Sequence, residues 1–326
     1  MNMIGMDVSK AKLDCAWIND TASSKVKNKV FLNTPKDHQA LMDWAMKQCQ
    51  APIDAIHFVM EATGIYHEAV AYALEQAGAL VSVVNPAQIR NYARSLGTRN
   101  KTDKKDSVVI TRFGLTQRPR LWQPEPEEVR VLKALISRLE AVEKDIQREK
   151  NRREKAEIAY ASDEVIISIQ TVLAQLEKEK QRLEDLINRH IDGHPHLKQD
   201  RQLLESIPGV GPVISRMMVG MIRSRDFDSA PQCAAFIGLT PVQHESGASV
   251  RGRAHLSKTG NPVIRAKLYM AAVVAIQHNP DIKRQYERLL KRGKVKMSAL
   301  CAAMRKLVHI CFGVLKHQQP YQPQGG

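Results

Sequence analysis

The first hundred residues alternate short apolar runs with amphipathic stretches, which is typical of an α/β domain. Short connectors separate the first three apolar runs, so we expect those strands to be antiparallel neighbours. Later segments alternate between helical and strand spacing, and the predicted order is βββαβαβ. The predicted strands are 3–6, 15–18, 30–32, 56–60 and 80–84, and the predicted helices are 36–48 and 66–77.

Beyond residue 124 the strand patterns give way to helical periodicity. Between residues 125 and 192, apolar residues recur first at intervals of three and four and then of seven, as at Leu176 and Leu183. This spacing predicts two long helices that form a coiled-coil arm. The arm either mediates oligomerisation or is an antiparallel hairpin that packs only on itself.

The C-terminal part of the chain, 193–326, is predicted to be an all-α domain with buried helices at 262–276 and 295–315. The sequence therefore predicts three domains. They are a mixed-sheet α/β domain at 1–124, the arm at 125–192 and the helical domain at 193–326.

The chain is strongly basic, with 49 Lys and Arg against 34 Asp and Glu in 326 residues and a formal net charge of +15. This balance favours a polyanionic partner. No run is expected to approach the roughly 18 apolar residues of a membrane-spanning helix, so we expect a cytoplasmic protein without a membrane partner. The five cysteines include no C-x-x-C pair, which argues against a disulfide framework or a zinc site.

Four acidic residues follow the pattern of a metal site. Asp7 ends the first predicted strand and Glu61 takes the matching place at the end of the fourth. The order βββαβαβ is that of the RNase H superfamily, although the order alone is compatible with other α/β sheets. In the RNase H order strands one and four are adjacent, so the two carboxylates would meet at one edge of the sheet. Asp103 and Asp106 lie three apart, on one face if their segment is helical. Converging carboxylates need cations, and oxygen ligands select Mg²⁺, with Mn²⁺ as the alternative.

Each of these acids also has a purely structural interpretation. Asp7 could cap a turn, Glu61 could pair with an arginine, and Asp103 could cap its helix. The combination of two acids at strand ends with an acid pair flanked by lysines and an arginine favours the metal site, because those cations suit a phosphate backbone.

Two further segments carry candidate nucleic-acid contacts. The turn at Gly209 and Gly211 resembles the hairpin of helix-hairpin-helix modules, whose glycine amides bind a DNA phosphate. The alternative is a glycine-rich connection that only packs two helices. In the polar stretch 238–261, serines lie among the cations Arg251, Arg253 and Lys258.

An exposed serine beside cations is a reasonable nucleophile for a phosphodiester. Spacing alone does not choose among Ser246, Ser249 and Ser257. The alternative is a loop that binds phosphate and has no covalent role.

At these residues the chain resembles the transposases of the insertion-sequence 110 family, the RNA-guided bridge recombinases. The N-terminal motifs are I-G-M-D ending at Asp7, E-A-T-G starting at Glu61, V-N-P at 84–86, and K-T-D-x-x-D, which contains Asp103 and Asp106. The C-terminal motifs are L-E-S-I-P-G-V-G, A-F-I-G-L-T-P, E-S-G-A-S-V-R-G and S-K-T-G-N. In a departure from the family pattern, His244 stands where an aromatic residue is common.

The resemblance implies a RuvC-like domain, a coiled-coil arm and a C-terminal transposase domain. It implies that Asp7, Glu61, Asp103 and Asp106 bind Mg²⁺ and that Ser246 becomes covalently linked to DNA. It further implies a bacterial enzyme acting at the nucleoid, a guide RNA that pairs with element ends and target DNA, and a homo-oligomer, dimer or tetramer.

The leading hypothesis is thus a DNA transposase or site-specific recombinase that needs no ATP, in agreement with a sequence that has no P-loop motif. One alternative is a RuvC-like, structure-selective endonuclease with the same carboxylates and water as the nucleophile. Another is a non-enzymatic nucleic-acid scaffold in which the acids only cap and pair.

Overall fold

The computed structural model describes residues 2–18, 26–96, 103–242, 245–246, 250–251 and 255–324, with the backbone alone at 103–105, 245–246 and 250–251. The chain divides into two compact units, Met1–Pro124 and Glu125–Gly326. The segment 125–192 therefore belongs to the same unit as the C-terminal helices.

The N-terminal unit is a five-stranded mixed sheet covered by helices. The sheet order is β3-β2-β1-β4-β5, with β1 antiparallel to β2, β2 antiparallel to β3, and β1, β4 and β5 mutually parallel. This confirms the predicted mixed sheet and the βββαβαβ order. The elements are β1 Asn2–Val8, β2 Lys12–Ile18, β3 Val26–Leu32, α1 Pro35–Cys49, β4 Ile56–Glu61, α2 Glu68–Gln76, β5 Leu80–Val84, α3 Pro86–Ser95 and α4 Asp103–Gln117.

Alternation along the strands gives this sheet two apolar faces. On one face, Ile4, Met6 and their neighbours pack against α1 and α2. On the other, Met3 and Val59 pack against α3 and α4. Because side chains of a strand alternate between faces, Gly5 and Asp7 lie on the same side as Met3, under α4. The segment Asn85-Pro86, directly after β5, begins α3, since the Asn85 side chain accepts a hydrogen bond from the Ala87 amide at 2.8 Å.

The second unit is mostly helical, as predicted, but the prediction of an all-α domain is wrong for residues 241–256. Four two-residue strands form two antiparallel pairs there, and strands this short leave no visible alternation in a sequence. The elements are α5 Glu127–Ile158, α6 Asp163–Asp192, α7 Pro195–Glu205, α8 Pro212–Arg223, α9 Ala230–Ile237, β6 Pro241–Val242, β7 Glu245–Ser246, β8 Val250–Arg251, β9 His255–Leu256, α10 Pro262–His278, α11 Pro280–Lys291 and α12 Lys296–His317.

The two long helices α5 and α6 pack antiparallel. His190 Nε2 lies 2.8 Å from the Glu128 carbonyl oxygen at one end, and Lys150 Nζ lies 3.3 Å from Glu177 Oε1 further along. Their apolar seam continues into the core formed by α7 to α12. The two predicted helices are confirmed, while coiled-coil geometry and a role in oligomerisation stay predictions.

Helix α12 is long and apolar enough to cross a membrane by length and composition, with a mean hydropathy of 1.5 in its most apolar window. The expectation that no segment approaches the length and apolar composition of a membrane-spanning helix was therefore wrong. In the structure 56% of that window is buried, including Leu307 and Cys311 in the core of the unit. A buried core helix passes the same test, so the finding is weak evidence for a membrane.

Candidate functional site

The structure places Asp7 and Glu61 side by side at one end of the sheet. The parallel register pairs Met6 with Met60, so the next residues along, Asp7 and Glu61, occupy neighbouring positions on β1 and β4. Both side chains are half-buried. Residues in register on adjacent strands share a face, so both carboxylates lie on the side of the sheet that carries α4.

Close packing of α4 on β1 fixes the position of the other two acids. A Cβ on Gly5 would lie 2.3 Å from the Thr111 amide nitrogen, and one on Gly114 would lie 2.8 Å from the Met3 sulfur. Helix α4 therefore runs opposite to β1, with its C-terminal half above Met3. Its N-terminal turn, which contains Asp103 and Asp106, is directed toward the end of β1 that carries Asp7.

Buried hydrogen bonds hold this packing in place. The Thr111 hydroxyl accepts a hydrogen bond from the Gly5 amide at 3.2 Å and lies 3.1 Å from the Ala16 carbonyl oxygen on β2. The Thr111 side chain is fully buried. One residue of α4 therefore links the helix to two strands, which restricts sliding of the helix along the sheet.

Asp14 is an acidic residue of this site that the sequence analysis missed. It lies directly opposite Asp7 in the antiparallel register of β1 and β2, is 5% exposed, and forms an ion pair of 3.0 Å with Lys12. Cross-strand partners have Cβ atoms about 5 Å apart. A row of acids, Asp14, Asp7 and Glu61, therefore crosses three adjacent strands.

Within the described part of the chain, no three His, Cys, Asp or Glu side chains are grouped closely enough to hold a metal ion. The Asp103 side chain lies outside the described residues, and Asp106 is half-buried. The metal-binding role of the four acids is thus a proposal, supported by the placement of their backbone segments.

The two glycines of the α7–α8 turn have different surroundings. Gly209 has a φ of 97°, and a Cβ there would lie 2.7 Å from the Ala275 Cβ on α10. Gly211 is exposed, caps α8, and has no atom within 4 Å of its Cβ position among the described residues. The lack of a side chain at Gly209 therefore allows α10 to pack closely on the turn, and phosphate binding by the amides of Gly209 and Gly211 stays a prediction.

The candidate serine lies on one of the short strand pairs. Ser246 pairs with Val250, and Glu245 pairs with Arg251. The backbones of Ser246 and Arg251 therefore lie on paired strands, and the role of Ser246 as a nucleophile stays a prediction. His244, Ser249 and Arg253 lie outside the described residues.

Close backbone packing fastens the base of this loop. A Cβ on Gly260 would lie 2.3 Å from the Phe236 carbonyl oxygen, and Arg265 Nη1 donates to the Ile237 carbonyl oxygen at 3.1 Å. Lys258 is exposed, has a φ of 54° and donates its amide to the Gly238 carbonyl oxygen at 3.2 Å. A left-handed lysine costs free energy, so the surrounding backbone contacts must stabilise the main chain at this position.

Comparisons with known proteins assign both units to one class. A family model for DEDD transposases of the IS110 type matches residues 4–156, and a model described as a transposase of the IS116/IS110/IS902 family matches residues 201–287. The chain is thus a transposase by both of its units.

Relatives extend this match over nearly the whole chain. The pilin gene-inverting protein of Moraxella bovis is 31% identical over 98% of this chain and 97% of its own length, and that of Moraxella lacunata is 30% identical over the same shares. The chain belongs to the IS110 family of transposases, which confirms the resemblance found in its motifs. It is therefore a DNA transposase or recombinase with DNA as its partner.

A solved RuvC structure from Thermus thermophilus is also similar to part of the chain. It covers 37% of this chain and 100% of its own, with a TM-score of 0.27 and 13% sequence identity. A similarity this low supports no conclusion about function.

Proposed function

We propose that this protein cuts and rejoins DNA with a carboxylate site at the edge of the N-terminal sheet and with Ser246 as the nucleophile. The observation that carries the proposal is the placement of Asp7 and Glu61 on adjacent strands, with the N-terminal turn of α4 directed at them. Three segments far apart in the sequence thereby bring acidic residues to one end of the sheet.

The residues at this edge fit a divalent cation. All the candidate ligands are carboxylates, which Mg²⁺ and Mn²⁺ prefer, and neighbouring carboxylates repel one another without a cation. Asp7, Glu61, Asp103 and Asp106 are the proposed ligands. When bound, the ions would supply charge stabilisation to the attacking and leaving oxygens of a phosphoryl transfer.

The proposed reaction of Ser246 is a transesterification. Its Oγ forms a bond to the DNA phosphorus while the bond from that phosphorus to the leaving strand oxygen breaks, and the hydroxyl proton passes to the leaving oxygen through solvent or a base. The number of phosphoester bonds does not change, so a strand hydroxyl can later reverse the step without ATP.

Cations and backbone amides near the serine would hold the DNA backbone. Arg251 lies on the strand that pairs with the strand of Ser246, Lys258 is exposed at the base of the loop, and Gly211 caps the N-terminus of α8. Arg253, two residues after Arg251 in the sequence, and Gly209, in the same turn as Gly211, are included in this proposed surface. Such contacts position DNA without reading its sequence.

Three further proposals, DNA inversion, DNA insertion and guidance by RNA, are based on the family and its relatives and not on the placement of residues in this structure. The two full-length relatives are named for pilin gene inversion, which favours site-specific DNA inversion or insertion by this chain. We propose in addition a bridge RNA as the guide and a dimer or tetramer as the working assembly.

The test is a search for a covalent protein–DNA adduct. The purified protein, its co-purifying RNA and labelled element-end DNA are incubated with Mg²⁺ and separated on a denaturing gel. We expect an adduct that is lost on the order of 1,000-fold in Ser246→Ala and in Asp7→Asn. The matched control is Ser257→Ala, because Ser257 lies at the base of the same loop and donates its amide to the Thr240 carbonyl oxygen at 2.9 Å.

Each outcome of this assay discriminates between mechanisms. Free cleaved DNA that persists in Ser246→Ala would identify an endonuclease that uses water. An adduct that survives in Ser246→Ala but is lost in Ser257→Ala or Ser249→Ala would identify the serine lost in that variant, Ser257 or Ser249, as the nucleophile. An adduct that forms equally well after ribonuclease treatment would show that DNA cleavage does not require a guide RNA.

A further inference from the structure

A second basic surface lies outside the candidate site, on α11 and the turn into α12. Between residues 283 and 296 the chain has seven cations and a single acid, Glu287. All seven cationic residues are exposed. The cations are Lys283, Arg284, Arg288, Lys291, Arg292, Lys294 and Lys296.

Acidic neighbours neutralise little of this charge. Arg284 forms an ion pair of 2.5 Å with Asp281. For the other six cations, no ion pair or hydrogen bond of the side chain occurs with any described residue. Unpaired cations in this number repel one another, so an anionic partner would stabilise the surface.

Four of the cations lie along one face of α11. Arg284, Arg288, Lys291 and Arg292 follow a spacing of four, three and one residues, and with Glu287 they line a shallow groove of about 410 Å³. With a helical rise of 1.5 Å per residue, the row extends about 12 Å, which is the length of roughly three successive phosphates on one strand of a duplex.

The helix that carries this row is firmly anchored. Asn279 is fully buried and its side chain accepts hydrogen bonds from the amides of Asp281 and Ile282, at 3.1 and 3.2 Å. Tyr321 donates its hydroxyl to Asp281 Oδ2 at 2.6 Å. Because the backbone of α11 is held in this way, binding orders the cationic side chains alone, which lowers the entropic cost.

The chemistry of the surface favours a duplex backbone over single strands. Single-stranded nucleic acids are bound with exposed aromatic side chains on which bases stack. The one aromatic residue of the segment 283–296, Tyr286, packs against the core of the unit. We propose that this surface binds the phosphodiester backbone of a nucleic-acid duplex, without reading its sequence and apart from the serine loop.

The test measures binding alone, in EDTA, so it does not depend on Ser246 or on the carboxylates. Fluorescence anisotropy of labelled duplex DNA, duplex RNA and single-stranded DNA is measured against salt concentration with the full chain. The variant combines Arg288→Gln, Lys291→Gln and Arg292→Gln. For at least one duplex we expect the slope of log K against log salt to fall by about 2 to 3, with binding roughly 10- to 100-fold weaker at 0.1 M salt.

The matched control removes the same charge from cations that are already paired with acids. It combines three changes whose ion pairs with Asp145, Glu179 and Asp192 are 2.9, 2.7 and 3.9 Å long. We expect its slope to change by less than about 0.5. The control changes are Arg148→Gln, Arg182→Gln and Lys198→Gln.

A third variant with Arg288→Lys, Lys291→Arg and Arg292→Lys keeps the charge and should keep the wild-type slope. An effect on duplex RNA alone would identify RNA as the partner, and an effect on duplex DNA alone would identify DNA. The proposal is overturned if the α11 variant changes neither duplex slope more than the control does, or if only single-stranded DNA responds. Circular dichroism melting of every variant separates a loss of binding from unfolding.

Discussion

The acid edge and the serine loop are built in opposite ways. The acids lie on strands and a helix that a buried sheet holds in register, over sequence separations of about a hundred residues. Ser246 lies on a two-residue strand that is fastened by local contacts with its neighbours in the chain. The first kind of site depends on the core of its unit, whereas the second can be disturbed while the fold survives.

The largest difference between the two regions should appear when one tightly packed glycine in each, Gly5 or Gly260, is replaced by alanine. In Gly5→Ala the new Cβ meets the Thr111 backbone of α4 at 2.3 Å, and that backbone belongs to a buried helix that cannot move without opening the core. We expect the N-terminal unit to lose about 3 kcal/mol of stability, the upper end of overpacking effects. Denaturant unfolding measures the loss.

Gly114→Ala is the control for this substitution, because its new Cβ would first meet the flexible Met3 side chain at 2.8 Å. A smaller loss of about 1 kcal/mol is expected for it. Equal losses in the two variants would contradict the view that α4 is fixed mainly at Gly5.

The corresponding change in the other region is Gly260→Ala. Its Cβ also meets backbone, the Phe236 carbonyl oxygen at 2.3 Å, but the neighbouring strands are short and can shift. We expect a loss of about 1 to 2 kcal/mol in stability and at least a tenfold loss of the covalent adduct. Gly313→Ala in α12 is the control, since no described residue has an atom within 4 Å of a Cβ there and the helix should gain up to about 1 kcal/mol.

If Gly260→Ala unfolds the protein as strongly as Gly5→Ala does, the contrast between a core-dependent and a locally fastened site is wrong. If it lowers adduct formation without changing the unfolding curve, the contrast is sharpened.

The same contrast explains which features were predictable from the sequence. Strand alternation and apolar runs located the five strands, and acids at strand ends located Asp7 and Glu61. Asp14 was missed because it and Lys12 interrupt the apolar run, so the second strand was predicted to begin at Cys15 when it begins at Lys12. A polar pair on one strand face is visible only after the register is known.

Features that depend on contacts distant in sequence were not predictable. The position of α4 follows from the close approach of Gly5 and Thr111, and nothing local in the sequence marks either residue as a contact. The strand pairs of the serine loop consist of two residues each, which is below the length at which alternation can be recognised. The contact of Gly209 with Ala275 could likewise be known only from the tertiary structure, and the phosphate contact predicted for Gly209 stays a prediction.

A smaller effect is expected from Asp14, which the proposed metal site would include as a neighbour of its ligands. Asp14→Asn keeps the size of the side chain but removes a buried negative charge opposite Asp7. We expect about tenfold weaker Mn²⁺ binding, measured by calorimetry, because a carboxylate next to the ligands strengthens the local negative potential. The control is Asp54→Asn, which removes an exposed carboxylate from the short 3₁₀ turn 53–55 of the same unit. Unchanged Mn²⁺ affinity in Asp14→Asn would restrict Asp14 to its ion pair with Lys12.

The smallest expected effect concerns pH. His57 on β4 is 6% exposed, its Nε2 lies 2.8 Å from the Ser82 hydroxyl on β5, and burial lowers its pKa below the ordinary value of 6.5. At a pH between the folded-state pKa of His57 and 6.5, the unfolded chain binds more protons than the folded one. Stability from neutral His57 is therefore complete above pH 6.5 and is lost as the pH falls toward the folded-state pKa.

The slope from this one group is at most about 1.4 kcal/mol per pH unit. His57→Gln should flatten the pH dependence of unfolding of the N-terminal unit between pH 6.5 and 5, measured by denaturant titration at each pH. His278→Gln is the control, since His278 is exposed at the end of α10. If the unfolding free energy of His57→Gln depended on pH as steeply as that of the wild type, protonation of His57 would not destabilise the sheet. The acids at the end of the sheet would then depend less on the buried core than its packing indicates.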